Sequence, residues 1–506
     1  MTSFRDKFYK PLLTLLAVGL LFAVSFVQEQ LNRKRETIGL TRVDPLDNAP
    51  PMLAFTTVAL GGFRGLIANM LWIRVADLQE QDKFFEMVQL SDWITKLQPY
   101  FATVWVHLAW NMSYNISVKF NDPADRWQWV RRGIELLRDE GLRYNPKEPL
   151  LYRELAWHFQ HKMGANLDDA HNYYKTVWVE EMTKVLGAGR PNYVELLNPQ
   201  TDEVRARVQL LRERYKMDPR WMKEVDERYG PLEWRLPETH AIYWAVVGIE
   251  NTKDSTLKEQ DMINLRRVIF QSMQLAFHRG RVVTLVKGTG EFTTAPNLDV
   301  VARTSRTYEE MIELEPAMRT NIETAHKNFL KTAVYFLYTH NRLTQAAEWF
   351  KLLRERYNPK DIPANQSLDD YAISRVTEDV SETSHDRVKA ILEGLIADSF
   401  LNLAADEDDI AVGYDRFAQR IWNRYQEAIG DISRARVGLP PLPKLKGEVL
   451  ARLLDPENGL ETPMANQLRT KLGLPAAAPA DASTNRPPVL NPVTNAPPAN
   501  PGANKR

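Results

Sequence analysis

The sequence predicts an all-α protein: a helical-repeat solenoid carrying a small β-hairpin insertion, preceded by one transmembrane helix. Three observations predict it. From about residue 62 to about residue 430 apolar residues recur at helical spacing, with prolines where helices should stop. An uncharged run of 18 residues, PLLTLLAVGLLFAVSFVQ, lies between Lys10 and Glu29. Only Arg281 to Ala295 reads as strand. The 506 residues suffice for a large core. Lys plus Arg total 65 and Asp plus Glu total 65, so the chain lacks the net charge of a nucleic-acid binder, and no nucleic acid is expected as partner. With no cysteine, disulfides, thiolate metal sites and a cysteine nucleophile are excluded together.

Taken in chain order, residues 1–30 read as the anchor. As a helix the apolar run would rise about 27 Å, enough to span hydrocarbon. Arg5, Lys7 and Lys10 give it a basic flank, and no small-x-small cleavage pattern follows Val27. An uncleaved, single-pass anchor is therefore expected. Arg33, Lys34 and Arg35 nearly cancel the charge asymmetry, and the expected topology puts the body on the exported (periplasmic or extracytoplasmic) side. Residues 31–61 form a juxtamembrane linker. The apolar stretch after it is interrupted by Arg64 and Arg74 and broken at Gly61 and Gly62. Leu66, Ile67, Met70, Leu71 and Val75 fit an amphipathic first helix of the body, a helix in the membrane interface being the alternative.

Residues 62–279 and 301–430 are read as two blocks of helical repeats flanking a hairpin insertion at 280–300. After Pro99, the residues Trp105, Leu108, Ala109 and Met112 fall at spacings 0, 3, 4 and 7; after Pro146, Tyr152, Leu155, Ala156 and Phe159 repeat them. In both, the large aromatic lies six residues beyond the proline, and a small residue stands where a neighbouring helix would come close. Trp244, Val247 and Gly248 after Pro237 are a looser copy. Ala346, Phe350 and Leu353 precede Pro359, and LLRERY occurs at both Leu210 to Tyr215 and Leu352 to Tyr357.

This pattern resembles the tetratricopeptide repeat: a large aromatic, then aliphatic and small residues, then a bulky one, with proline closing the unit. The resemblance implies paired antiparallel helices and a concave face that captures an extended or helical segment of another protein. The sequence departs from the family. Pro99 and Pro146 stand 47 residues apart rather than the family's roughly 34, and Gly187 to Pro237 has no clear repeat phase. A degenerate array is therefore expected, with a non-repetitive helical bundle as the alternative.

Within Arg281 to Ala295, Lys287, Gly288, Thr289 and Gly290 make the turn of a hairpin; a phosphate loop would need a following Gly-Lys-Ser/Thr and a helix. Residues 431–474 read as a Pro-containing connector and short capping helices. Residues 475–506, with eight prolines, eight alanines, five asparagines and no aromatic residue, cannot bury a core and are expected to be disordered.

No constellation dictates a reaction. His158, His161 and His171 are the best-spaced histidines for a metal, but no Glu completes a helical zinc motif, and neither metal nor cofactor is expected. Asp406 to Asp409 lack the alternating ligands and glycine of a calcium loop. Eight of the 13 tryptophans fall between Trp72 and Trp178, and two of these, Trp127 and Trp129, cannot both face inward on one helix. Trp127, Trp129 and Trp244 are thus the candidate partner-binding residues, in a membrane-anchored, non-enzymatic scaffold whose helical groove binds another protein. Two alternatives stand beside it: a non-catalytic accessory subunit of a membrane transport or envelope-assembly complex, and a helical-toroid hydrolase or lyase acting on glycans through dispersed carboxylates.

Overall fold

The computed structural model describes residues 63–187, 189–253, 259–285, 292–360, 362–376, 385–437, 439–456 and 458–475, together with isolated positions between 15 and 34. The expected anchor falls largely outside the described residues. So do the juxtamembrane linker, the hairpin turn at Lys287 to Gly290 and, beyond Pro475, the Pro/Ala/Asn-rich tail. The described body is helical except for one two-stranded sheet. Among the described residues no helix is long and apolar enough to cross a membrane. The chain divides into two compact units: one runs to Arg228 and resumes over Trp234–Ser272, the other takes Tyr229–Glu233 and everything from Met273.

In the first unit, α1 (Phe63–Glu80) and α2 (Phe84–Leu97) pack through Ala68, Val75, Leu78, Met87 and Ile94. The next three helices each change pitch near the C-terminal end. Helix α3 (Ala102–Trp110) runs into a widened turn of i to i+5 bonding over Asn111–Ile116, α4 (Pro123–Glu135) into one over Leu136–Gly141, and α5 (Pro149–Trp157) into one over His158–Met163. Asp122 caps α4 by accepting the Ala124 N–H at 2.8 Å, with Pro123 in the first turn where its missing N–H costs nothing. The unit continues through α6 (His171–Leu186), α7 (Tyr193–Leu197), α8 (Asp202–Glu213), α9 (Pro219–Tyr229) and α10 (Pro237–Thr252) into α11 (Glu259–Arg279), within which the division falls.

The aromatic six residues beyond each proline has a physical reason to be there. Trp105 Nε1 donates to the Pro99 carbonyl at 2.8 Å, and the Tyr152 hydroxyl donates to the Pro146 carbonyl at 2.9 Å. These carbonyls lie ahead of the helix and outside its bonding ladder, so a side chain from the second turn reaches back to them; that of Pro99 also accepts Asn145 Nδ2 at 2.8 Å. Trp105, Leu108, Ala109 and Met112 are at most 2% exposed, and Tyr152, Leu155, Ala156 and Phe159 at most 4%. At Gly248 of α10 a Cβ would lie 2.5 Å from the Tyr152 Cβ, so only glycine lets α10 reach α5.

In the second unit β1 (Arg281–Thr284) pairs antiparallel with β2 (Phe292–Ala295), Arg281 opposite Ala295 and Thr284 opposite Phe292, which is the hairpin read from the sequence. Helices α12 (Val301–Leu314), α13 (Arg319–Thr339), α14 (Leu343–Tyr357) and α15 (Leu368–Ser374) follow, then α16 (His385–Ala404), α17 (Asp408–Val437), α18 (Leu442–Leu453) and α19 (Thr462–Lys471). Ala346, Phe350 and Leu353 form the buried stripe of α14, with Phe350 against Tyr371 of α15 at 4.9 Å. Asp408 and Asp406 hold Lys471 of α19 at 2.9 Å each, which gives the acidic run a structural partner.

Candidate binding cleft

The first unit holds an open cleft of about 1120 Å³ between α2 and α4, floored by Leu108 and Met112 of α3. Two helices can stand apart here because α3 fills the space beneath them. The widened turns of α3 and α4 contribute Met112 and, on α4, Leu136, Asp139 and Glu140. Such turns add a residue to a helix and push side chains outward, which is why they recur at functional sites.

One end of the cleft is aromatic. Phe85 meets Trp129 edge to face at 5.6 Å, Phe120 stacks on Trp129 at 6.3 Å, and Phe85 meets Phe120 at 6.2 Å. Phe85 is 54% exposed, while the half-buried Phe120 and Trp129 pack against the core beneath, so the cluster is where the core reaches the surface.

The rest of the lining is charged, with Glu86, Asp92, Glu135, Asp139 and Glu140 outnumbering Lys96, Arg131 and Arg132. Most cations are already engaged. Lys96 donates to Asp92 at 2.6 Å, and Arg131 to Glu135 at 3.0 Å. Asp139 accepts two bonds from the buried Arg138, at 2.6 and 2.8 Å. Glu86 and Glu140 make no hydrogen bond or ion pair within the described residues. The Glu140 carboxyl is held above its ordinary range by desolvation and by the Asp92 and Asp139 charges, which Lys96 and Arg132 do not cancel. The lining therefore carries an uncompensated negative potential beside an aromatic anchor.

Of the three tryptophans predicted to bind a partner, only Trp129 lines the cleft. Trp127 and Trp244 correct the expectation: they are 5% and 4% exposed and leave no face for a ligand. Trp127 lies against Tyr174 and Trp178, and Trp244 against Tyr243. Two tryptophans two apart on a helix cannot both be fully buried, and of this pair Trp129 is the half-buried one that reaches the cleft. The same argument applied to Phe84 and Phe85, adjacent on α2, would have found the other aromatic wall: Phe84 is buried and Phe85 is not. Glu86 and Glu140 carried no comparable signal, because an unpaired surface carboxylate looks like any other in sequence.

The histidines weighed as ligands are held apart by separate partners. His158, wholly buried, bonds through Nδ1 to the Glu154 carbonyl at 2.8 Å; His161 Nδ1 lies 3.1 Å from the Tyr114 hydroxyl; His171 Nδ1 lies 2.9 Å from Lys175 Nζ. Among the described residues no group of three His, Asp or Glu side chains could hold a metal ion. Behind the cleft, Asp168 is a buried charged node. It accepts from Arg126 at 3.0 Å, Lys162 at 2.5 Å, the Ala170 N–H at 2.9 Å and the Tyr174 hydroxyl at 3.1 Å. Desolvation pushes this carboxyl up, but the Lys162 bond and the other donors outweigh it and hold it below its ordinary value. The node ties the start of α4, the widened turn of α5 and α6 together, and so fixes the helix that carries Trp129.

No protein-family model, curated protein or solved structure matches this chain, so the functional reading rests on the cleft and on the physical chemistry of its lining.

Proposed function

We propose that this chain is a membrane-anchored scaffold whose tetratricopeptide-like helical body binds a segment of another protein in the cleft between α2 and α4. The observation that carries the reading is the pairing of an aromatic anchor, the exposed Phe85 against the half-buried Trp129, with unpaired carboxylates at Glu86 and Glu140. A segment that places an apolar side chain on the aromatics and Lys or Arg beside the carboxylates fits this lining.

The repeat reading is supported by more than spacing. The α3 and α5 units have the same construction at an offset of 47 residues: nine α-helical residues, six in a widened turn, and a second-turn aromatic bonded to the proline carbonyl six residues earlier. The anchor reading is supported by the uncharged run after Lys10. Where that run is described, Leu15, Leu16, Leu20 and Val27 are helical and 59–73% exposed, consistent with apolar side chains that no protein core receives. The body on the exported side, with other proteins as its partners, completes the proposal.

The test places a photo-crosslinking residue at Gln128, on the cleft wall, in the full chain in its native membranes. Capture of one polypeptide, reduced about tenfold by Trp129→Ala and by Glu140→Arg, is the expected result. Capture unchanged by both substitutions would remove the cleft from the account.

A further inference from the structure

As far as Val75, helix α1 is apolar on two opposite faces; Asp77 and Glu80 then close the outer one. Ala68, Val75 and Leu78 enter the core, while Leu66, Met70 and Ile73, at one-turn spacing on the far side, are 53, 59 and 67% exposed. A helix that had only to cover a core would carry polar residues there. The stripe is not an isolated lapse. Of the sixteen exposed large apolar side chains described beyond residue 60, nine lie between Leu66 and Val118, Trp93, Tyr100, Phe101 and Trp110 among them. The other seven are scattered over the remaining length.

What stands before α1 in the chain says what would cover it. The uncharged run ends at Gln28, and 34 residues separate it from Phe63. Even fully extended, 34 residues reach no more than about 120 Å, so such an anchor tethers α1 to the membrane into which it inserts. The helix itself is unsuited to spanning. Arg64, Arg74, Asp77 and Glu80 fall within its 18 residues. A helix with a broad apolar face, arginines near both ends of the stripe and tryptophan and tyrosine on neighbouring elements has the chemistry of one that lies along the bilayer surface.

We infer that the Leu66, Met70 and Ile73 face of α1 docks on the lipid surface of the membrane into which the N-terminal run inserts, laying the N-terminal end of the body against the bilayer. This rests on the anchor reading above, and the experiment separates the two. Because the chain has no cysteine, single-cysteine variants of the full protein can be labelled directly with an environment-sensitive fluorophore. Leu20→Cys reports on the run, Met70→Cys on the stripe, and Val194→Cys, 77% exposed on α7, on a surface not assigned to lipid. The protein is reconstituted into phosphatidylcholine vesicles containing a minority of phosphatidylglycerol, with spin-labelled lipids as quenchers.

The expected result is about a twofold or greater loss of emission at Leu20→Cys with the deep quencher and at Met70→Cys with the shallow one, and none at Val194→Cys. Quenching at Leu20→Cys but not at Met70→Cys would overturn the docking inference and leave the anchor standing. A blue-shifted but unquenched label at Met70→Cys would also overturn it, because the stripe would then be covered by protein, either a second copy or the chain's own N-terminal run. An unquenched Leu20→Cys would overturn the anchor reading itself.

Discussion

Single side chains carry unequal shares of this fold, and the least replaceable are the ones with no room or no water around them. Asp168 is the sharper case. Replacing it with Asn keeps the shape but leaves Lys162 buried without a counter-charge, and breaking such a pair costs roughly 3–5 kcal/mol. Asp168→Asn should lower the denaturation midpoint by a matching amount in urea titration, whereas replacing both Asp168 and Lys162 with apolar residues should recover part of the loss. Gly248 is limited by space instead. Its Cβ would meet both Cβ and Cγ of Tyr152, so Gly248→Val should cost about 1–3 kcal/mol by the same assay. Val194→Ala, on the exposed face of α7, should cost almost nothing.

At the level of the helix, the clearest regularity is the bond from a second-turn aromatic to the proline carbonyl before the helix. Tyr152→Phe leaves the Pro146 carbonyl without its donor and should destabilise by about 1 kcal/mol in urea titration, whereas Trp105→Phe leaves the Pro99 carbonyl with Asn145 Nδ2 at 2.8 Å and should cost less. The sequence disclosed the apolar stripes of these helices because burial on one face imposes a period, and a period is visible in a string of letters. It disclosed the hairpin for a similar reason. The widened turns left no trace, since they depend on where a helix is pulled outward by its neighbours and not on which residues it contains. The cleft was legible only by half. Trp129 could be suspected because a rigid helix cannot bury both members of its pair, but Glu86 and Glu140 acquire their character from α2 and α4 standing side by side, a long-range fact.

Across the described residues, burial has been imposed on several imidazoles that would otherwise titrate near neutrality. Desolvation lowers His240, His326 and His340 to about 4, with Arg138 and Arg356 adding repulsion at the first two. His326 is enclosed between the Ser305 hydroxyl at 2.9 Å and the Tyr357 hydroxyl at 2.7 Å, and stacks on Tyr308. The unfolded chain protonates each of these near 6.5 and the folded chain only near 4, so between those values the unfolded state binds more protons. Stability present above pH 6.5 is therefore lost as pH falls toward 4, on the order of 3 kcal/mol for each group. Asp398 runs the other way. Burial raises its carboxyl to about 6, so it costs stability as pH rises from 3.8 through 6, and Asp398→Asn should raise the melting temperature at pH 7.5 while leaving it unchanged at pH 3.5. Thermal melts from pH 7.5 to 4.5 should show a falling midpoint for the wild type; a flat profile would mean that the imidazoles titrate freely in the folded state.

The widened turns also bear on how this chain can change length. An i to i+5 turn is an α-helical turn holding one residue more than it needs. Removing one residue within Leu136–Gly141 would return the turn to ordinary pitch and keep the helical Leu142–Tyr144 after it in phase with α4 before it. The same deletion in a regular stretch would rotate everything after it by about 100° and turn its buried stripe toward water. That segment is a place where the body can lose a residue and keep its fold.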